Sequence, residues 1–451
     1  MTPKDNLALR DETQERLLDL AAMALDRARE MGASMAEVSV SHGQGLSVTV
    51  RKEEVETIEH HRDKGMNIRV FLDGCSGTAS CSDFSSGEIR NSVQTACNIA
   101  RHTERDDCNG LADRELLATE FPDLDLHHPW NVTLEEAVDI ARRCESAALE
   151  FDNRITNSEG GGLSTHDGVE IYANSHGFCG ISRGSQHGIH CSVISGIGQA
   201  MQRDYWYDSR RVPEALADPE SVGRTAARRT VNRIGARKLA TGEYPVVFEA
   251  PVAQSLVGHL VSAIQGAGLY KKASFLHDRL GCRIFPQGIH IHEQPLLPRA
   301  AGSAGYDGEG VATRNKAIVD DGVLSSFLLD SYTARKLGKT STGNAGGIHN
   351  LTVDSTARGG LEGMLKTMDR GILVTELIGF GVNTVTGDYS RGAFGYWVEQ
   401  GEIRHPVQEF TIAGNLNDMF MGICAVGDDV MDNRNIRTGS IMLERLAAAG
   451  E

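Results

Sequence analysis

Apolar residues alternate with polar ones in the first part of this chain, and this period of two limits the fold more than any other feature of the sequence. On an extended strand, alternate side chains share a face, so each such run has one apolar and one polar face. Three runs show the pattern: Val38 and Val40; Leu46, Val48 and Val50; Ile68, Val70 and Leu72. The glycine-containing segments between them predict turns, and the whole predicts an antiparallel sheet with one wet face.

Helical patterns flank these strands. Leucines recur in a charged stretch over residues 11–31, which predicts an amphipathic helix that ends near Gly32. A second helix is predicted over residues 86–102, where it would cover the face of the sheet opposite the wet one. Residues 1–108 are therefore predicted to form an N-terminal α+β domain.

The next part of the chain mixes helical and strand patterns. A helical pattern over residues 134–151 is followed by short strand-like runs and by a second helical pattern near residues 221–234. Both kinds of pattern are typical of a mixed layer of helices and strands. They predict a middle α+β segment, residues 109–235, packed with the N-terminal domain.

The last part of the chain is rich in glycine and in strand patterns. It contains one strong helical pattern, over residues 251–266. A boundary between residues 235 and 242 predicts a C-terminal domain over residues 236–451. The predicted fold class is α+β: an N-terminal α+β region with an antiparallel sheet, followed by a larger, β-rich C-terminal domain.

Charge and composition exclude several classes of function. The 45 Lys and Arg residues are outnumbered by 61 Asp and Glu residues, and the formal charge of −16 would repel a phosphate backbone, so no nucleic-acid partner is expected. The sequence shows no apolar signal segment and no run of about 18 apolar residues, so we expect no membrane association and a cytoplasmic location. The nine cysteines include no CxxC pair and are expected to be reduced thiols.

Five stretches of sequence carry a resemblance to a known family. They are RITNSEGG at 154–161, ANSHG at 173–177, STGNAGGIHN at 341–350, TGDYSRGAFGYWVEQGEI at 386–403 and TIAGNL at 411–416. Together with the length and spacing of the chain, they resemble the TldE/PmbA branch of the TldD/PmbA metalloprotease family. The resemblance covers nearly the whole sequence.

The resemblance implies a function and a set of partners. In this family two related subunits, TldD and TldE, form a heterodimer around a cavity in which unfolded peptides are cut. It therefore implies a TldD-type partner subunit that carries zinc, and unfolded peptides as substrates; the isolated chain could also form a homodimer. Family resemblance further connects the chain with maturation of a peptide antibiotic, turnover of antitoxins and modulation of DNA gyrase.

The resemblance also points to the helix on which the TldD subunit carries an HExxxH motif, with two zinc-binding histidines and a glutamate as general base. The aligned residues here place Val257 and Ser262 at the ligand positions and Gly258 at the position of the base. Valine has no lone pair, serine is a poor neutral zinc ligand, and glycine has no carboxylate. No catalytic residue and no metal are therefore expected in this chain, which keeps the helix in degenerate form.

One imidazole remains in this segment, and it falls outside the ligand positions. His259 lies at the edge of an apolar arc on the helical wheel. The members of that arc are Val252, Leu256, Val257, Leu260, Val261 and Ile264. The pattern favours a partly buried structural histidine, with a contact to the peptide cavity as the alternative.

Two glycine-rich segments contain further candidates for the peptide cavity: Asn344, His349 and Asn350 in the first, and Asp388, Tyr389 and Arg391 in the second. Each segment could line the cavity, where an extended peptide could add to a sheet edge. The alternative for the second segment is a tight turn held by an ion pair between Arg391 and Asp388. The first segment has a structural alternative as well.

His290 and His292 form the best remaining metal-like pair. Both would project from one face of a short strand, with Glu293 on the other face. Two imidazoles are too few for a metal site, so an exposed edge strand is the favoured interpretation.

Three hypotheses for function follow. The leading one is a metal-free subunit that completes the peptide cavity while a TldD-type subunit supplies zinc and the general base. The first alternative is a self-sufficient peptidase with unrecognised ligands, such as His290 and His292, or with a cysteine nucleophile. The second is a non-enzymatic adaptor that binds partly unfolded clients.

Overall fold

The structure is a computed structural model that describes residues 3–450, with side chains from residue 13 onward except at residue 199. Its helices are α1 (Pro3–Glu30), α2 (Ser86–His102), α3 (Leu134–Leu149), α4 (Pro219–Asn232), α5 (Ala250–Ala263), α6 (Gly266–Tyr270), α7 (Ser331–Lys336), α8 (Gly360–Met368) and α9 (Leu416–Met421). Over this described range, no helix combines the length and the apolar character that crossing a membrane requires.

The strands fall into three sheets. They are β1 (Met35–Arg51), β2 (Glu54–Leu72), β3 (Cys75–Cys81), β4 (Ile155–Asn174), β5 (Cys179–Ser195), β6 (Gln202–Arg210), β7 (Arg237–Lys238), β8 (Gly242–Phe248), β9 (Ile291–Glu293), β10 (Lys316–Asp320), β11 (Val323–Leu324), β12 (Leu351–Val353), β13 (Gly371–Ile378), β14 (Asp388–Glu399), β15 (Glu402–Asn415), β16 (Ile423–Val426), β17 (Ile436–Arg437) and β18 (Ile441–Ala449).

The first sheet is antiparallel, in the order β3-β2-β1-β4-β5-β6. Strands from the predicted N-terminal domain and from the predicted middle segment thus share one sheet. Helices α1 and α2 pack on one end of a single face, and α3 and α4 pack on the other end of that face. The opposite face carries short polar residues such as Ser39 and Ser41, in agreement with the predicted wet face.

The turn predicted between the first two alternating runs is wrong. Val38 to Val50 all lie on one continuous strand, β1, and two glycines lie inside it. A Cβ atom at Gly45 would come within 2.5 Å of the Thr165 carbonyl oxygen, and one at Gly43 within 2.7 Å of the His166 ring. These glycines therefore allow β4 to approach closely, which is a second common use of glycine in a strand.

The C-terminal part is rich in strands, as predicted. Its large sheet has the order β16-β18-β8-β13-β14-β15-β7, and β18 also pairs with β15, so β8, β13, β14, β15 and β18 close into a ring. A smaller sheet has the order β11-β10-β9-β12-β17. The α+β fold class is confirmed, whereas the boundaries proposed at residues 108 and 235 stay predictions.

Candidate functional site

Helix α5 follows directly on strand β8 and carries the segment 257–262. Pro251 occupies its first turn, where proline's fixed φ suits a helix and its missing N–H removes no helical bond. The predicted apolar arc is confirmed, since all six of its residues are buried in the core of the C-terminal part: Val252, Leu256, Val257, Leu260, Val261 and Ile264. The other face, with Ser255, His259 and Ser262, is less buried.

The three positions aligned with the HExxxH motif offer little to a metal ion. Val257 is 5% exposed and belongs to the apolar core. A Cβ atom at Gly258 would have only Ile436 Cδ1 within 4 Å, at 3.9 Å, so there is space for a side chain that the sequence does not supply. The Ser262 hydroxyl donates to the Gly258 carbonyl at 3.0 Å, so it is engaged with the backbone of its own helix.

His259 packs against β14. Its ring lies 5.7 Å from the ring of Tyr389, edge to face. Its Nε2 atom is buried without a hydrogen-bond partner among the described residues. Burial, helped by the positive charge of Arg391, lowers the pKa of His259 to about 4, so this imidazole is neutral at neutral pH.

Arg391 reaches from β14 toward α5. Its Nη1 donates to Ser255 Oγ at 3.2 Å, and its Nη2 donates to the Leu377 carbonyl at 3.4 Å. Its Nε is buried and has no partner in the part of the chain that the structure describes. A buried donor without a partner costs free energy unless a ligand or water satisfies it.

The ion pair predicted between Arg391 and Asp388 is not formed. The two residues are three apart on β14, and residues at that spacing on a strand point to opposite faces. The Asp388 carboxylate instead accepts from Thr386 Oγ at 2.6 Å and from Asn415 Nδ2 at 3.2 Å. The tight turn is also wrong, because β14 is paired with β13 on one side and β15 on the other.

Ser255, His259, Tyr389 and Arg391 together form what we call the α5–β14 cluster. Tyr389 is 2% exposed, and burial raises the pKa of its hydroxyl. The cluster joins three residues that the sequence indicated separately and adds Ser255, which the sequence analysis missed. The one signal for Ser255 was its position one helical turn before His259, on the same face of α5.

The other glycine-rich segment lies around a buried carboxylate. Glu293 is 0% exposed and accepts from Asn344 Nδ2 at 2.9 Å and from the backbone N–H of His349 at 2.8 Å. The ammonium group of Lys316 contacts the same carboxylate. We call Glu293, Lys316, Asn344, His349 and Asn350 the Glu293 network.

Asn350 completes this network, and its side chain is 0% exposed. Its Nδ2 donates to the Gln294 carbonyl at 3.0 Å and to Ser303 Oγ at 2.7 Å, and its Oδ1 accepts from the Gly302 N–H at 2.8 Å. The ring nitrogens of His349 face the carbonyls of Gly302 and Gly343 at 3.3 and 3.1 Å. The network therefore holds the glycine-rich segment in place, and a peptide contact by its residues stays a prediction.

His290 and His292 lie side by side on one face, as predicted, with their rings 6.1 Å apart, and Glu293 points to the opposite, buried side. The edge-strand interpretation is wrong, because β9 lies between β10 and β12. The two histidines are accessible because this face of the sheet is open. Each faces its own carboxylate: His290 Nδ1 lies 2.9 Å from Asp320, and His292 Nε2 lies 3.1 Å from Asp354.

The residues around α5 do not fit a catalytic zinc ion. Such an ion takes about three nitrogen, sulfur or oxygen ligands from the protein. Here one imidazole, His259, stands beside the positively charged Arg391, and no carboxylate of the described residues contributes to its electrostatics. Across the described residues, no group of three or more His, Cys, Asp or Glu side chains is arranged to hold a metal ion.

The chain matches three family models over most of its length. These are PmbA/TldA metallopeptidase domain 1 over residues 36–100, the central domain over residues 127–234 and the C-terminal domain over residues 241–450.

Individual relatives match from end to end. The metalloprotease PmbA homolog of Haemophilus influenzae is 44% identical over 451 residues, which is 100% of both chains. The metalloprotease PmbA of Escherichia coli O157:H7 is 46% identical over 440 residues, 98% of both chains. A crystal structure from Bacteroides thetaiotaomicron, described as that of a candidate modulator of DNA gyrase, superposes with a TM-score of 0.91 at 26% identity and covers 96% of this chain and 98% of that one.

Proposed function

Because the chain belongs to the PmbA/TldD metallopeptidase family, we propose that it is the TldE/PmbA-type subunit of a peptidase and carries no catalytic metal of its own. In this proposal a TldD-type subunit supplies zinc and the general base. The two chains form a heterodimer around a peptide-binding cavity in the cytoplasm. Unfolded or partly folded peptides are the substrates.

The single observation that carries the proposal is the chemistry of helix α5. A helix that binds zinc through HExxxH needs two imidazoles and a carboxylate on one face. At those positions α5 has Val257 in the apolar core, Gly258 without a side chain, and Ser262 bonded to its own helix backbone. The charge of Arg391 beside His259 further disfavours a cation there.

Within the proposed cavity, the α5–β14 cluster is our candidate contact with the peptide. Arg391 Nε is a buried donor, His259 Nε2 is a second buried nitrogen, and the described residues supply a hydrogen-bond partner to neither. Peptide carbonyl oxygens and C-terminal carboxylates accept hydrogen bonds from such groups. Asp388 and Tyr389, on the same strand as Arg391, stay candidates for neighbouring contacts.

The decisive experiment compares this chain, a TldD-type chain and their mixture. Zinc content is measured by elemental analysis, and hydrolysis of an unfolded peptide is followed by mass spectrometry. We expect no stoichiometric zinc in this chain, and hydrolysis by the mixture that exceeds either chain alone by roughly tenfold or more. Full proteolysis by this chain alone, with one zinc per chain, would overturn the proposal.

The same samples distinguish the remaining hypotheses. Analytical ultracentrifugation of the mixture is expected to give a heterodimer, and of this chain alone to give either monomer or homodimer. If the chain bound unfolded peptide but never associated with a TldD-type subunit, the adaptor hypothesis would replace ours. If chelator-sensitive hydrolysis by the isolated chain disappeared in His292→Ala, the self-sufficient peptidase would replace it.

A further inference from the structure

A cavity of about 640 Å³ lies on the polar face of the first sheet, apart from α5. We call it the sheet cavity, and its lining includes Ser39, Phe121, Glu170, Ser182 and Tyr306. None of its lining residues belongs to the α5–β14 cluster or to the Glu293 network. Its volume is in the range of small-ligand sites.

Serines and two larger side chains, Glu170 and Tyr172, form the floor of the sheet cavity. The pairing of β1, β4 and β5 places Ser41, Glu170 and Ser182 in one row across the sheet. Both cross-strand neighbours of Glu170 are therefore uncharged serines. An opposite charge directly across the strands would stabilise a carboxylate, and this row supplies none.

The Glu170 carboxylate has no hydrogen bond and no ion pair within the described residues. The residue is exposed toward the cavity, and partial desolvation by the surrounding protein raises its pKa. The nearby carboxylate of Glu37 is different, since it accepts from the Tyr172 hydroxyl at 2.7 Å and lies 3.6 Å from the Arg69 guanidinium. A partly desolvated carboxylate without a counter-ion is slightly destabilising, and solvent reduces the effect because the residue is exposed. A bound cation would remove that cost.

Aromatic rings form one wall of the sheet cavity. The Phe121 side chain is 54% exposed, and its ring lies 5.9 Å from that of Tyr306. The Tyr306 ring rests on the sheet at Gly180, where a Cβ atom would come within 2.5 Å of it. Burial, and the charge of Glu170, raise the pKa of the Tyr306 hydroxyl, which makes no hydrogen bond to the described protein and so offers a free acceptor.

The other charged groups at the sheet cavity already have partners. Asp125 faces Arg299, at 2.5 Å, and His128. His127 lies 3.8 Å from Asp167, and Arg183, which also lines the cavity, has an interaction of its own. Asp123 and Asp307 also line the cavity, and their carboxylates accept from backbone N–H groups. Glu170 is thus the lining carboxylate to which the described residues supply neither a hydrogen bond nor an ion pair.

We propose that the sheet cavity binds an organic cation, a primary ammonium or guanidinium group on an apolar arm. Glu170 is its counter-ion, the Tyr306 hydroxyl accepts a hydrogen bond from it, and the Phe121 ring packs on the arm and on the positive charge. The cation comes either from a lysine or arginine side chain of a peptide or from a free amine. The site belongs to this chain alone and does not depend on a zinc-bearing partner.

The test is isothermal titration calorimetry of the full chain with three probes. Agmatine represents free amines, N-acetyl-Ala-Lys-Ala-amide represents a basic peptide side chain, and N-acetyl-Ala-Gln-Ala-amide is the neutral match. Binding of either cationic probe, with at least about tenfold weaker binding of the neutral peptide, supports the site. Which cationic probe binds more tightly identifies the source of the cation.

Variants connect that binding to named residues. Glu170→Gln keeps the shape of the side chain and is expected to weaken binding of the cationic probe roughly tenfold or more. Phe121→Leu is expected to weaken it roughly threefold or more. Glu54→Gln is the matched control, because it also removes one negative charge, at an exposed position at the start of β2. It should leave binding of the probe unchanged. If Glu170→Gln failed to fold, Tyr306→Phe would take its place, with a threefold or greater loss expected.

Three results would overturn the proposal. One is that neither cationic probe binds at millimolar concentration. Another is that the neutral peptide binds as tightly as the lysine peptide. The third is that the folded Glu170→Gln variant, or Tyr306→Phe in its place, binds like the wild type. Each of these would leave the proposal on the peptidase subunit untouched, because that proposal does not involve the sheet cavity.

Discussion

The Glu293 network and the α5–β14 cluster are both polar groups set against the core of the C-terminal part, yet the chain satisfies them to different degrees. In the network, Glu293 has hydrogen bonds from Asn344 and His349 and the charge of Lys316. In the cluster, His259 Nε2 and Arg391 Nε are buried and have no hydrogen-bond partner in the described part of the chain. Complete networks stabilise a fold, whereas buried groups without partners point to an absent ligand or water.

The largest expected effect is in the Glu293 network. Glu293→Gln removes the buried charge that Lys316 faces, so the free energy of unfolding should fall by about 3–5 kcal/mol. Urea unfolding measures it. Glu402→Gln removes an exposed carboxylate that pairs with Arg404 at 2.8 Å and is the control, with a cost below about 1 kcal/mol. Equal stability of the two variants would break the comparison.

The α5–β14 cluster should respond in activity and not in stability. Arg391→Met removes the unsatisfied Nε donor together with two long hydrogen bonds, of 3.2 and 3.4 Å. These changes offset each other, so stability should change by less than about 1 kcal/mol, while kcat/KM of the complex with a TldD-type subunit should fall roughly tenfold. Arg404→Met, on the exposed end of β15, is the control. Unchanged peptide hydrolysis by a correctly assembled Arg391→Met complex would remove this residue from the proposed cavity.

His259 predicts a pH dependence of stability. Its pKa falls from the ordinary 6.5 to about 4 in the folded chain, so between these values the unfolded state binds the proton more readily. His259 therefore does not lower the free energy of unfolding above about pH 6.5. It lowers that free energy increasingly as the pH falls toward 4. Because the side chain is partly exposed, we expect this loss of unfolding free energy to be about 1–2 kcal/mol.

That penalty is isolated by comparing unfolding free energies at pH 7 and pH 4.5 in the wild type and in His259→Gln. The variant should lose less stability on acidification than the wild type. His102→Gln, at the exposed end of α2, should lose as much as the wild type. The same loss in all three proteins would mean that His259 is not desolvated.

The smallest expected effect has the opposite sign. Glu170→Gln makes the same chemical change as Glu293→Gln, but at a carboxylate that has no partner among the described residues and whose pKa is raised by partial desolvation. A carboxylate with a raised pKa destabilises the fold at any pH above that pKa. Because Glu170 is exposed and solvent screens the effect, the substitution should increase the free energy of unfolding at pH 7 by well under about 1 kcal/mol. A loss of stability in thermal melts would show that Glu170 is a structural residue.

Much of the local structure could be predicted from the sequence, because it depends on neighbouring residues. The alternation from Val38 to Val50 predicted the strand faces, and the pattern over residues 86–102 predicted α2 with its observed bounds. The apolar arc on α5 was likewise correct. The turn between Val40 and Leu46 failed, because the same glycines suit a turn and a close approach to a neighbouring strand, and only the path of β4 distinguishes the two.

The pairings between polar side chains could not be predicted from the sequence. The Arg391 and Asp388 pair was inferred from nearness in sequence, but a strand directs them to opposite faces, and the partner of Arg391 is Ser255, 136 residues away. The open face of β9 was mistaken for an edge, since strand order is a property of the sheet. The sheet cavity had no local signal at all, because its lining comes from five separate stretches of the chain.

The sequence by itself determined the chemistry available at helix α5. A valine, a glycine and a serine stand where zinc ligands and a base would be, and no fold can give those side chains the missing imidazoles or carboxylate. The tertiary structure alone decided which polar groups are satisfied and which are left open. Glu293 meets Asn344 across 51 residues, while Glu170 meets two serines, and contacts over such distances depend on how the sheets assemble rather than on any local pattern.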